Sequence, residues 1–173
     1  MNITAIANLS ANGKVLLAEN PNHHPPKAGE EFFIKKVIQA GNIILGRKTF
    51  EVIQRLAGGQ SNIKNIFPNV EIVILSSSDN VSDKYKIAGS IVDALQHLQD
   101  REFHEIIIGG GTQIYNSFLK ENLITDLYLN YVPVITGGGG VIGTDAELFN
   151  AYQLAGHTLL DGEIVQLHLV RIN

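Results

Sequence analysis

Three segments of this chain combine residue types suited to holding phosphate. In IIIGGGTQIYNSF, from Ile106 to Phe118, an apolar run breaks into Gly109, Gly110 and Gly111 where helical spacing begins at Ile114, Tyr115, Phe118 and Leu119. Glycines at such a junction permit positive φ and close approach of an anion to the backbone. The free N–H groups and dipole of the following helix favour negative charge. A second apolar run, Ile43-Ile44-Leu45, ends in Gly46-Arg47-Lys48-Thr49. Two cations opening a helix oppose its dipole, so an anion that offsets them is a reasonable expectation. A third run ends in Ser76, Ser77 and Ser78, which add hydroxyl donors. Each feature has a plainer reading: a glycine turn can serve only to pack a helix closely on a sheet, and the Arg-Lys pair can be solvated. Two such junctions in one small chain favour an extended phosphate ligand.

The elements that must position these residues follow from periodicity. Apolar, β-branched segments alternate with helical ones, the pattern of a mostly parallel sheet covered by helices. The spacing predicts strands at 3–9, 14–17, 43–45, 70–75, 106–108 and 127–135, and helices at 29–40, 47–56, 90–99 and after the glycine turn. Phe33, Ile34, Val37 and Ile38 are expected to face inward on the first helix, and Ser90 to cap the third. Residues 152–160 and 164–172, separated by Asp161-Gly162, read as a C-terminal antiparallel hairpin. The expected fold is therefore an α/β three-layer sandwich. In open parallel sheets ligands lie beyond the carboxyl ends of the strands, so all three phosphate segments should share one edge. Residues 18–28 hold three of the five prolines and predict a long loop, and Gly137 to Gly140 a mobile one.

With 173 residues and 45% hydrophobic content, the chain fits one domain spanning 1–173. Thirteen Lys and Arg against 17 Asp and Glu give a net charge of −4 with no basic run, which argues against a nucleic-acid surface. No apolar stretch is long enough to span a membrane and the N-terminus lacks a signal-peptide pattern, so a cytoplasmic location is expected. Absence of cysteine excludes disulfides, thiolate catalysis and cysteine-ligated zinc. The adjacent His23 and His24 lack further ligands at zinc-site spacing, and no metal is expected there.

The strings ILGRKTFE, VILSSS and IIIGGGTQIYNSFL, in this order, resemble the dihydrofolate reductase superfamily over nearly the whole chain. DLYLNYVPVITGGGG is similar to the branch of the riboflavin-biosynthesis reductase domain, found in bacterial deaminase-reductases. SANGKV resembles that branch's serine-x-aspartate-glycine-lysine signature, with Asn12 in place of the aspartate. The leucine-proline-tryptophan signature of folate enzymes is missing, since the chain has no tryptophan.

This resemblance implies an NADPH-dependent reductase that transfers hydride to a small heterocyclic substrate, similar to 5-amino-6-(5-phosphoribosylamino)uracil reductase. Dihydrofolate reduction and a non-catalytic dinucleotide-binding module are the alternatives. By the resemblance, Gly46, Arg47, Lys48 and Thr49 hold the pyrophosphate together with Gly109, Gly110, Gly111, Thr112 and Gln113. Ser76 and Ser77 match positions near the adenosine 2′-phosphate, and Ala7 matches the strand lining the nicotinamide pocket. No acidic residue at 76–78 offers a partner to a free 2′-hydroxyl, which favours NADPH over NADH. Glu30 and Glu31 lie where folate enzymes place a proton donor, although first-turn glutamates are also expected from the helix dipole alone. Glu30 shares a helical face with Ile34 and Val37. Lys14, Lys27 and Lys35 are candidate partners for a substrate phosphate. The apolar C-terminal strands and the riboflavin-branch relatives together suggest a homodimer.

Overall fold

The computed structural model describes residues 1–16, 26–78, 82 and 84–172. One eight-stranded sheet runs through it in the order β4-β3-β2-β5-β1-β6-β8-β7. Its strands are β1 (Asn2–Ser10), β2 (Asn42–Gly46), β3 (Glu71–Leu75), β4 (Lys86–Ala88), β5 (Glu105–Ile108), β6 (Asp126–Val132), β7 (Tyr152–Leu160) and β8 (Ile164–Arg171). The first six are mutually parallel; β8 runs antiparallel to β6, and β7 antiparallel to β8.

Strand alternation divides the core into two layers. Ala5, Ala7, Ile44, Val73, Ile106 and Ile108 pack against α4 (Ile91–Asp100) and α5 (Thr112–Lys120) on one face. Ile6, Ile43, Leu45, Ile74 and Ile107 pack on the other against α1 (Lys27–Ala40), α2 (Arg47–Leu56) and the short α3 (Ile63–Ile66). Central strands covered on both faces read as continuous apolar runs for this reason. The helix ends follow local chemistry. Ser90 accepts from the Asp93 N–H at 3.1 Å, and Gly41, at φ 71°, closes α1 through its N–H to the Val37 carbonyl.

The expected three-layer α/β sandwich and C-terminal hairpin are present. Several boundaries differ. Helix α1 starts at Lys27, inside the expected loop, because Pro26 occupies the N-cap. Ile38 is 42% exposed rather than inward: the core-facing side of α1 carries Phe33, Ile34 and Val37. Strand β6 stops at Val132, since Pro133 has no N–H to continue the ladder and the Val134 N–H turns back to the Val132 carbonyl. Lys14 and Val15 form only isolated bridges, to Val141 and Leu9. The three-residue β4 carries too few residues for a period to show. His23, His24 and most of the proline-rich loop lie outside the described residues.

Candidate functional site

The carboxyl ends of β2, β3 and β5 open into one groove of about 490 Å³. Gly46, Arg47, Lys48 and Thr49 form one wall, Gly111, Thr112 and Gln113 the opposite wall, and Ser76 and Ser77 the end beside β3. The N-termini of α2 and α5 therefore meet at one place. They are tied together by the Gly46 N–H, which donates to the Gly110 carbonyl at 2.8 Å. A Cβ at Gly46 would lie 2.8 Å from Ile114, so the close approach of these helices requires glycine there. The Arg47 guanidinium sits 2.6 Å from Glu51 with both side chains about half exposed, at 45% and 49%. Such an i,i+4 pair is worth only ~0.3–0.5 kcal/mol. Arg47 can leave it for a phosphate at little cost.

Beyond Thr49, which lines both spaces, lies a second cavity of about 350 Å³ with mostly apolar walls. Ile6 and Asn8 of β1, Glu30 and Phe33 of α1, Ile53 of α2 and Gly109 contribute to it. Gly109 stands between Ile43, Leu45 and Phe33, each 2.6–3.1 Å from where its Cβ would be, so no larger residue fits. Gly110, at φ 83°, lies against the Tyr115 ring, and the peptide that joins it to Gly111 is cis. Tyr115 is buried and donates its hydroxyl to the Ile6 carbonyl at 2.6 Å. Burial raises its pKa well above the ordinary value, so the hydroxyl remains a donor.

The expected residues therefore fall into three groups. The residues of the two helix N-termini and the two serines share the groove, while Gly109 opens on the apolar cavity. Glu30 lines that cavity, as its shared face with Ile34 implies. Glu31 does not: it is 66% exposed, with its carboxylate 3.5 Å from Lys27 Nζ. Ala7 is buried on the α5 side of β1, and its neighbours Ile6 and Asn8 are the ones that face the cavity. Among Lys14, Lys27 and Lys35, none lines either space. Gly139 and Gly140 lie beside Lys14, Val15 and Thr112, and the Val15 N–H donates to Gly140. Among the described residues no cluster of three or more His, Asp or Glu could hold a metal, and no helix is long and apolar enough to cross a membrane.

Residues 7–166 match the RibD C-terminal domain family. The chain belongs to that family. Among relatives of this RibD-type domain, the uncharacterized protein YwjB of Bacillus subtilis is 28% identical over 134 residues, covering 75% of this chain and 72% of its own. Dihydrofolate reductase type 15 of Escherichia coli is 29% identical over 121 residues, covering 70% and 69%. A pyrimidine reductase-like protein of Corynebacterium diphtheriae shares the fold with a TM-score of 0.72 at 14% identity, over 99% of this chain and 92% of its own.

Asn8 and Tyr115 are the residues at this RibD-type site whose roles sequence reasoning missed. An amide side chain in the middle of a largely buried strand, two positions from Ile6, was the available signal for Asn8. Tyr115 gave none, because a tyrosine at helical spacing reads as ordinary core.

Proposed function

We propose that this protein is an NADPH-dependent reductase of a small heterocyclic compound, of the ribosylaminopyrimidine type, acting in the cytoplasm. The observation that carries this reading is the junction at Thr49: a phosphate-suited groove opens beside an apolar cavity of ring size, with a residue common to both. The groove fits a dinucleotide on its own chemistry. Two helix N-termini, Arg47 and Lys48 supply positive charge. Thr112 Oγ1 is buried against Gly140 without a hydrogen-bond partner, so the N-terminus of α5 offers a ligand its backbone N–H groups rather than this hydroxyl.

The chain's residues divide the work as follows. Arg47, Lys48 and the free N–H groups of α2 and α5 bind the phosphates, while Ser76 and Ser77 donate to the 2′-phosphate that distinguishes NADPH from NADH. Gly109, whose missing side chain lets Ile43, Leu45 and Phe33 close in, forms part of the wall of the apolar cavity. Ile6, Phe33 and Ile53 hold a substrate ring there and exclude water. Glu30 lines the same cavity and is placed to supply the proton that accompanies reduction. The bound cofactor supplies hydride.

Titration with NADPH and NADH, followed by cofactor fluorescence, tests the reading. NADPH should bind more tightly than NADH, and Arg47→Ala should weaken NADPH by about 5- to 30-fold through loss of a charge-assisted contact. Binding of neither cofactor rejects the reductase assignment. Cofactor binding with no oxidation in the presence of ribosylaminopyrimidine or dihydrofolate favours a non-catalytic nucleotide module. Oxidation with dihydrofolate alone makes it a folate enzyme, the activity named for its Escherichia coli relative.

We also propose a homodimer formed through the C-terminal strands. Leu154, Leu159 and Val165 are 59%, 58% and 44% exposed. The β7–β8 register places all three on the face that also carries Leu167 and Leu169. An apolar surface on the edge strand β7 and its neighbour β8 is suited to burial against a second copy.

A further inference from the structure

A row of three side-chain amides crosses the sheet and ends in the apolar cavity. Asn8 pairs in register with Asn130 on β6, and Asn130 with Gln166 on β8. Gln166 Nε2 donates to Asn130 Oδ1 at 2.8 Å, and Asn130 Nδ2 donates to Asn8 Oδ1 at 2.9 Å. Asn130 is fully buried and Gln166 nearly so. Asn130 uses both ends of its amide, so it cannot turn over unless Asn8 and Gln166 turn with it. The first turn of α1 closes over the other side of Asn8: a Cβ at Gly29 would lie 2.6 Å from Asn8 Oδ1 but 3.5 Å from Nδ2. The carbonyl end is thus held between Asn130 and the helix. What Asn8 has left to offer the cavity it lines is the pair of Nδ2 hydrogens.

We infer that Asn8 is a specificity-determining residue that donates a hydrogen bond to a carbonyl oxygen of the substrate, and that Asn130 and Gln166 are positioning residues fixing the sense of its amide. The ligand class is a planar ring presenting an acceptor on its edge, as in a pyrimidinedione, in preference to one presenting an amino group there. A donor fixed within an apolar cavity discriminates strongly, because the wrong ring leaves two hydrogens facing two others. The inference rests on the reductase reading for the use of the cavity, and its geometry is independent of the cofactor.

The test uses a matched pair of probes, 5,6-diaminouracil and 2,4,5,6-tetraaminopyrimidine, titrated calorimetrically into the full-length protein with and without NADPH. The wild type should prefer the dione by about tenfold or more. Asn8→Asp keeps the shape and the acceptor for Asn130 but presents an acceptor to the cavity, and should invert the preference. Gln166→Leu lies outside the cavity and should shrink the preference several-fold by freeing the row to turn, which loss of stability alone would not do. NADPH affinity should change less than about twofold in either variant, because neither residue lines the groove. A wild type that binds neither probe, or one whose preference survives Asn8→Asp, overturns the assignment. If NADPH fails to bind while the preference and its inversion persist, the reductase reading falls and the amide assignment stands.

Discussion

Tyr115 shows how one side chain can support a site from beneath. Its hydroxyl bonds the Ile6 carbonyl at 2.6 Å, its ring fills the space under Gly110, and Ile6 lines the apolar cavity while Gly110 bonds Gly46 of the groove. In the folded protein burial keeps this phenol neutral above its ordinary pKa of 10.0. In the unfolded chain it ionises near that value. The unfolded state therefore releases a proton more readily, and the stability due to the neutral buried phenol, complete below pH 10, is lost as pH rises beyond it. Thermal unfolding followed from pH 8 to 11 should show a falling melting temperature above pH 10. Tyr115→Phe should flatten much of that fall while costing ~1–2 kcal/mol near neutrality. Tyr152, also raised by burial, accounts for part of the slope that remains. At this scale, legibility in the sequence depended on chemistry that needs no partner to be seen. Arg47, Lys48 and the glycines declare themselves by type and position, and the structure gathers them at one edge. Asn8 acquires its meaning only from residues 122 and 158 positions away, and nothing local indicates that three amides will stand in register.

Elements were legible where they were long enough to show a period. Helix α2 and the β7–β8 hairpin fall where spacing and turn residues place them, and Ser90 caps α4 as its type predicts. The narrow pairing of β2 with β5 was not visible. Their ladder is registered only at Ile44 and Ile108, and below it Asn42 joins the strands. Its Nδ2 donates to the Glu105 carbonyl at 2.7 Å and to Ala40 at 3.0 Å, while its Oδ1 accepts from the Ile107 N–H at 3.4 Å. One buried amide thus takes the place of missing backbone bonds. Asn42→Ala would leave those backbone groups without this partner in a dry interior. Denaturant unfolding should report a loss of about 2–4 kcal/mol with little change in slope. A loss below ~1 kcal/mol would mean that water replaces the amide.

For the whole molecule, alternation of strand and helix revealed the layers but not the strand order. Placing β1 between β5 and β6, and reversing direction at β8, depends on long-range pairing that periodicity does not encode. The same reversal takes the chain away from the helices. Beyond β6, the face bearing Leu154, Leu159 and Val165 remains open. Light scattering after size exclusion should give the mass of two chains. Leu159→Lys should shift the population to monomer while leaving NADPH affinity within about twofold, because the groove lies at the other end of the sheet. A wild-type monomer at micromolar concentration would reject this role for the hairpin.

Thr49 belongs to the walls of both spaces, so groove and cavity are neighbours and not one space used twice. For turnover, this arrangement lets donor and acceptor reside on the protein together, and neither has to depart before the other arrives. Initial rates measured at several fixed concentrations of each partner should give reciprocal plots that intersect. Parallel lines would mean that the two compounds take turns in a single chamber.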